Sequence, residues 1–121
     1  MANILTVDDS PSIRQMIKVV LGPAGHTVFE AGDGAQGLEK AKSTKMDLVI
    51  TDLNMPVMNG LEFLIALRRE FGPDNPPVVF CTTENDIGHI EQAITNGAQE
   101  FIMKPFDEEI LVGKFAQVGL L

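Results

Sequence analysis

Short runs of apolar, mostly β-branched residues alternate along the chain with stretches whose apolar residues recur every three or four positions. The alternation repeats five times. Ile4-Leu5-Thr6-Val7 predicts a buried strand that stops at Asp8-Asp9, and Ser10 stands where it can cap a helix with Pro11 at its first position. Ile13, Met16, Ile17, Val20 and Leu21 form one apolar stripe on that helix, which Gly22-Pro23 and Gly25 end. Thr27-Val28-Phe29-Glu30 predicts a second strand, followed by a helix from about Asp33 with Ala35, Leu38 and Ala41 inward and weakened by Gly34 and Gly37. Asp47-Leu48-Val49-Ile50-Thr51 predicts a third strand ending at Asp52. The loop Leu53 to Gly60 then leads into a helix carrying Leu61, Leu64, Leu67 and Phe71. Val78 to Cys81 is the fourth strand, closed by Thr82-Thr83-Glu84-Asn85, with Ile87, Ile90 and Ile94 marking the next helix. Glu100-Phe101-Ile102-Met103 is the fifth strand and ends at Lys104-Pro105. Asp107, Glu108 and Glu109 suit the positive N-terminus of a final helix.

Five strand–helix units with near-continuous apolar strands imply an α/β fold with a parallel sheet covered on both faces. Right-handed crossovers make a doubly wound open sheet the natural arrangement. No boundary, linker or repeat beyond the βα unit interrupts residues 1–121, so one domain is expected.

Composition narrows the partners. The 121 residues are 45% hydrophobic and 21% charged, with a formal net charge of −8. Such a surface repels a phosphate backbone, which argues against nucleic acid as a direct partner. The single cysteine, Cys81, follows the apolar run Val78-Val79-Phe80 and is expected to be a buried, inert thiol. The N-terminal residues lack the basic and apolar regions of a signal peptide, and no apolar stretch approaches membrane-spanning length. A cytoplasmic, monomeric protein without membrane association is expected. His26 and His89 fall away from the strand ends just described and are expected at the surface.

The polar residues carry the chemistry. Asp8 and Asp9 end the first strand, Asp52 the third, Thr82 the fourth and Lys104 the fifth. In parallel α/β sheets, ligands bind outside the carboxyl ends of the strands, at the switch point in strand order. With order 2-1-3-4-5 that point lies between strands one and three, where three carboxylates would share a crevice with a hydroxyl and an ammonium. Three close carboxylates raise each other's proton affinity unless a cation sits among them. Hard oxygen ligands without nearby His or Cys favour Mg²⁺ over zinc. A carboxylate nucleophile beside such a cation, an ammonium and a hydroxyl is suited to accept a phosphoryl group. Singly, each residue reads as a helix cap, a turn residue or a solvated charge. Their coincidence at four strand ends on one edge is what carries the reading.

Four segments in order strengthen it: Val7-Asp8-Asp9, then Asp52-Leu53-Asn54-Met55-Pro56-Val57-Met58-Asn59-Gly60, then Thr82-Thr83-Glu84, then Lys104-Pro105-Phe106. Over essentially its whole length the chain resembles a response-regulator receiver domain of bacterial two-component signalling. In length it is similar to the single-domain CheY-like chemotaxis regulators. The resemblance implies a flavodoxin-like receiver fold with strand order 2-1-3-4-5. It implies Asp52 as phosphoacceptor, Asp9 and Asp52 as direct Mg²⁺ ligands, Asp8 acting through a metal-bound water, and Asn54 lending its backbone carbonyl. Lys104 would pair with the phosphoryl oxygens and the Thr82 hydroxyl would swing to meet one of them. Phe101 occupies the aromatic switch position, where many relatives carry Tyr. Thr83, Glu84 and Pro105 would modulate the switch, with Lys104-Pro105 a cis bond and with Asn54 and Glu84 flanking the path of attacking water. The implied donors are a sensor histidine kinase or a phosphotransfer protein. The implied output is protein–protein contact, with a flagellar motor switch protein as leading target and a phosphorelay as the alternative.

Two other classes fit less well. A phosphatase of the haloacid dehalogenase type wants an acid two residues after its nucleophile, where this chain has Asn54. A flavodoxin-like cofactor module wants a Ser/Thr/Gly-rich phosphate loop after the first strand, where Asp8-Asp9 would repel the phosphate. No turnover of external substrates is therefore expected.

Overall fold

Each apolar run forms a strand and each periodic stretch a helix. The computed structural model of the protein describes residues 2–53, 55–73, 75–82, 90–104 and 108–117, with 90, 108 and 115–117 described by backbone alone. Among the described residues, strands β1 (Asn3–Val7), β2 (Thr27–Ala31), β3 (Leu48–Asp52), β4 (Val78–Thr82) and β5 (Glu100–Met103) alternate with five helices. These are α1 (Pro11–Leu21), α2 (Gly34–Ser43), α3 (Gly60–Phe71), α4 (Ile90–Thr95) and α5 (Glu108–Gln117). The strands pair in parallel in the order β2-β1-β3-β4-β5. Alternation along the strands divides the core in two. Leu5, Val7, Val49, Val78 and Phe80 pack with Ala41, Phe63, Leu64, Leu67 and Ala93 from α2, α3 and α4. Ile4, Leu48, Ile50, Val79, Cys81 and Ile102 pack with Ile17, Leu21 and Leu111 from α1 and α5. The sheet is therefore doubly wound, as expected.

Several details depart from the pattern reading. Ala35 is exposed, and the buried positions of α2 are Gly34, Gly37 and Ala41. A Cβ on Gly37 would come within 2.9 Å of Val7 and 3.2 Å of Phe63, so the glycine lets α2 approach β1 and α3 closely. Phe71 is 40% exposed, whereas Phe63, absent from the predicted stripe, is fully buried. Ile94 is 47% exposed and Ala93 fills the core position of α4. Ser10 does precede α1, but its hydroxyl makes no capping bond; its backbone N–H is instead taken by the Asp8 carboxylate at 2.9 Å. Asp47 lies just before β3, and its carboxylate accepts the Asn3 N–H at 2.8 Å. His26 is half-buried, and its Nδ1 accepts the Ala2 N–H at 3.1 Å. Among the described residues no helix is long and apolar enough to cross a membrane.

Candidate functional site

The polar residues at the strand ends converge. Asp8 follows β1 and Asp52 closes β3, the adjacent strands that flank the switch point. One carboxylate oxygen each from Asp8, Asp9 and Asp52 lies within 4.8 Å of the others. Lys104, just beyond β5, reaches across the strand ends: its Nζ lies 3.1 Å from Asp8 Oδ2 and 3.2 Å from Asp52 Oδ1. The Asp8 side chain is only 3% exposed, those of Asp52 and Lys104 13% and 18%, and Asp9 faces solvent. The centre is thus closed at its floor and open at Asp9.

Local structure fixes each group. The Asp8 N–H is held by the Ala31 carbonyl of β2 at 3.1 Å, and its Oδ1 accepts the Ser10 N–H. The Asp8 carbonyl accepts a hydrogen bond from the Arg14 guanidinium on α1, whose Nε pairs with Glu30 of β2 at 3.1 Å. Asp52 Oδ1 accepts the Leu53 N–H at 2.9 Å. The Lys104 N–H is taken by the Thr82 carbonyl at 2.6 Å, which locks the ends of β4 and β5 together. Gly60 opens α3 against the end of β3. A Cβ there would collide with the Asp52 carbonyl oxygen and come within 3.0 Å of both Leu53 and Phe80. Asn59 and Glu62 complete a reciprocal cap on that helix.

The electrostatics follow from crowding. Burial, and then the neighbouring Asp8 charge, push the Asp52 carboxyl above its ordinary value despite the opposing pull of Lys104. Burial works to lower the Lys104 ammonium, but the combined attraction of Asp52 and Asp8 outweighs it and raises the group. A further cation among the three acids would relieve the repulsion that one ammonium leaves. The donor set is all carboxylate oxygen, so the residues fit a hard divalent ion such as Mg²⁺.

Of the residues singled out in the sequence, Asp8, Asp9, Asp52 and Lys104 meet in one centre. Thr82 is buried at the end of β4, and with Leu53, Phe80, Ala93 and Phe101 it lines a small void of about 10 Å³. Phe101 is half-buried, with the Lys114 ammonium 5.5 Å from its ring centroid. Asn54, Thr83, Glu84 and Pro105, and with Pro105 the expected cis bond, lie outside the described residues. The pattern reading missed Arg14 and Gly60 as supports of the site. Arg14 carries no motif signal, since an arginine beside an apolar stripe reads as solvated. Gly60 closes the segment Asp52 to Gly60, but its close approach to the end of β3 shows only in the fold.

Comparison with known proteins shows the family and the fold. Residues 4–116 match the response regulator receiver domain, and the chain belongs to that family. It is 40% identical to the chemotaxis response regulator CheY4 of Vibrio cholerae, whose structure superposes with a TM-score of 0.90 over 98% of both chains. It is 36% identical over 117 residues to a chemotaxis protein CheY homolog of Campylobacter jejuni, covering 95% of this chain and 90% of that one. It is also 36% identical over 111 residues to the DNA-binding response regulator MtrA of Mycolicibacterium smegmatis, 92% of this chain and 47% of that protein. The chain thus spans about half the length of the MtrA relatives it matches.

Proposed function

We propose that residues 1–121 form one receiver domain that accepts a phosphoryl group on Asp52 and transmits a signal by changing a protein-binding surface. The observation that carries this is the Lys104 ammonium between Asp8 and Asp52, beside an acidic trio with one open side. Asp9 and Asp52 would hold Mg²⁺ directly, Asp8 through a bound water, and Asn54 through its carbonyl. When bound, the ion supplies charge neutralisation for the acids and the incoming phosphoryl oxygens. An Asp52 carboxylate oxygen forms the new bond to phosphorus while the bond to the donor's imidazole nitrogen breaks, and the departing imidazole takes up a proton. Lys104 favours this in two ways: it holds Asp52 against protonation beforehand and pairs with the phosphoryl oxygens afterwards. Thr82 and Phe101 line the same small void, and in this reading the Thr82 hydroxyl moves toward the phosphoryl group and the Phe101 ring follows it. Thr83, Glu84 and Pro105 modulate that response.

The donor is a sensor histidine kinase or a phosphotransfer protein, and the protein acts as a cytoplasmic, monomeric phosphoacceptor that turns over no external substrate. The likeness to chemotaxis regulators over nearly their full length favours a target in motility, such as a flagellar motor switch protein. A relay role is the second reading. It is favoured by 36% identity over 114 residues to the CAI-1 autoinducer sensor kinase/phosphatase CqsS of Vibrio cholerae, of which the chain spans 17%.

The test is intact-mass measurement after incubation with a small phosphodonor, with Mg²⁺ and with chelator. One labile phosphate adduct that needs Mg²⁺ supports the reading. Sustained release of free phosphate from many monoesters, without an adduct, would support the phosphatase instead.

A further inference from the structure

Asp9 is the one acid of the trio that faces solvent, and its side chain has no hydrogen-bond partner among the described residues. Its position must therefore come from the backbone on either side of it. The peptide that follows it is pinned by its own neighbour, because the Ser10 N–H donates to Asp8 Oδ1 at 2.9 Å. The peptide that precedes it has its oxygen, the Asp8 carbonyl, held by Arg14. Fixing both peptide planes fixes the two backbone dihedrals of Asp9 and so the direction of its Cα–Cβ bond, which limits the carboxylate to the few staggered positions reachable from there. Arg14 is itself anchored, since its Nε donates to Glu30 Oε1 at 3.1 Å with the side chain only 19% exposed. Glu30 adjoins Ala31, whose carbonyl holds the Asp8 N–H. Strand β2 thus grips both ends of the Asp8 residue, one through its backbone and one through the Glu30–Arg14 pair.

We propose that Arg14, braced by Glu30, is a positioning residue for the metal site: it aims Asp9 and thereby sets divalent-cation affinity, without touching the phosphoryl group. This rests on the reading of the acidic trio as a Mg²⁺ site. Residues that orient metal ligands are worth about 10–100-fold in affinity. Two effects of replacing Arg14 oppose each other and can be told apart. Loss of a nearby positive charge, acting through space, would tighten cation binding. Loss of the brace on Asp9 weakens it.

The experiment is calorimetric titration of the full chain with Mg²⁺, paired with the rate of phosphorylation by a small phosphodonor as a function of Mg²⁺ concentration. Arg14→Gln should raise the Kd roughly tenfold or more and shift the half-saturating Mg²⁺ for phosphorylation in step. Its maximal rate should return to wild type at saturating Mg²⁺. Arg14→Lys should fall between, because a point charge cannot span the Asp8 carbonyl and Glu30 as a fork does. Glu30→Gln should weaken binding by a smaller factor. Lys18→Gln, which removes the more exposed partner of Glu30, should stay within twofold. An Arg14→Gln protein that binds Mg²⁺ as tightly as wild type or tighter, or that loses maximal rate at unchanged half-saturation, overturns the proposal. If Arg14→Gln fails to fold, Glu30→Gln decides: a Kd within twofold of wild type overturns it. A wild-type protein that takes up no Mg²⁺ would instead overturn the reading of the trio, and this proposal with it.

Discussion

Lys104→Met tests how much of the fold's stability is invested in the site. The substitution keeps most of the side-chain volume but removes the cation 3.1 Å from Asp8 and 3.2 Å from Asp52. The Asp8 side chain is only 3% exposed, so its charge is left in a poorly solvated place without its ammonium partner. Breaking a buried pair from one side costs about 3–5 kcal/mol. The lower part of that range is the better expectation, since Asp52 can take a proton and stop repelling Asp8. A loss of about 3 kcal/mol is a large share of a typical domain's 5–15 kcal/mol. With a urea dependence of about 1.5 kcal/mol per molar, it moves the midpoint down by roughly 2 M. The pH dependence follows from the direction of the Asp52 shift. Burial and Asp8 already raise its carboxyl, and removing Lys104 removes the main opposing influence. The folded variant then holds a proton at pH values where the unfolded chain has released it, so its stability falls as pH rises through that window. The deficit relative to wild type is therefore largest above the carboxylate range and shrinks toward acid. Millimolar Mg²⁺ should restore part of it by replacing the lost charge. Urea denaturation of both proteins at several pH values, with chelator and with Mg²⁺, makes the measurement. A midpoint within about 0.5 M of wild type, or a deficit that ignores pH, would refute the reasoning.

Three further outcomes are expected. Gly60→Ala should destabilise by about 1–3 kcal/mol and slow phosphorylation, because its Cβ collides with the Asp52 carbonyl; wild-type rate and midpoint would contradict this. Val57 sits at φ 69° in a tight turn closed by the Met58 N–H on the Pro56 carbonyl, with 83% of its surface exposed. Val57→Gly should therefore stabilise by about 1 kcal/mol, strain relief exceeding the glycine's entropy cost, as thermal denaturation would show. Burial pushes the Cys81 thiol up to about 12. Its reaction with a disulfide reagent at pH 8 should accordingly require unfolding and accelerate with urea, whereas rapid labelling of the native protein would place the thiol elsewhere.

The architecture could be read from the sequence because each strand is a short apolar run and some helix starts are marked, α1 by Ser10-Pro11 and α2 by Asp33. The acidic trio and Lys104 were readable for a related reason: a parallel sheet sends every strand's carboxyl end to one edge, so position along the chain becomes position in space. What stayed hidden depends on partners distant in sequence. Gly34 and Gly37 read as weak points of a helix, yet they are its packing face, because their value lies in how near Val7, Met58 and Phe63 come. Phe63 and Phe71 are both compatible with helical spacing, and only the depth of the groove beneath α3 separates buried from exposed. Arg14 gains its meaning from Glu30, sixteen residues away on another element, and no local pattern marks that pairing.

The most direct test is where the phosphate goes. The protein is phosphorylated by a small donor with Mg²⁺, the acyl phosphate is reduced with borohydride, and the modified peptide is sequenced by mass spectrometry. Reduction should convert Asp52 alone to homoserine, and Asp52→Asn should give a folded protein with neither phosphate adduct nor homoserine. Modification at another residue, or an Asp52→Asn protein that takes up phosphate as wild type does, would contradict Asp52 as the phosphoacceptor.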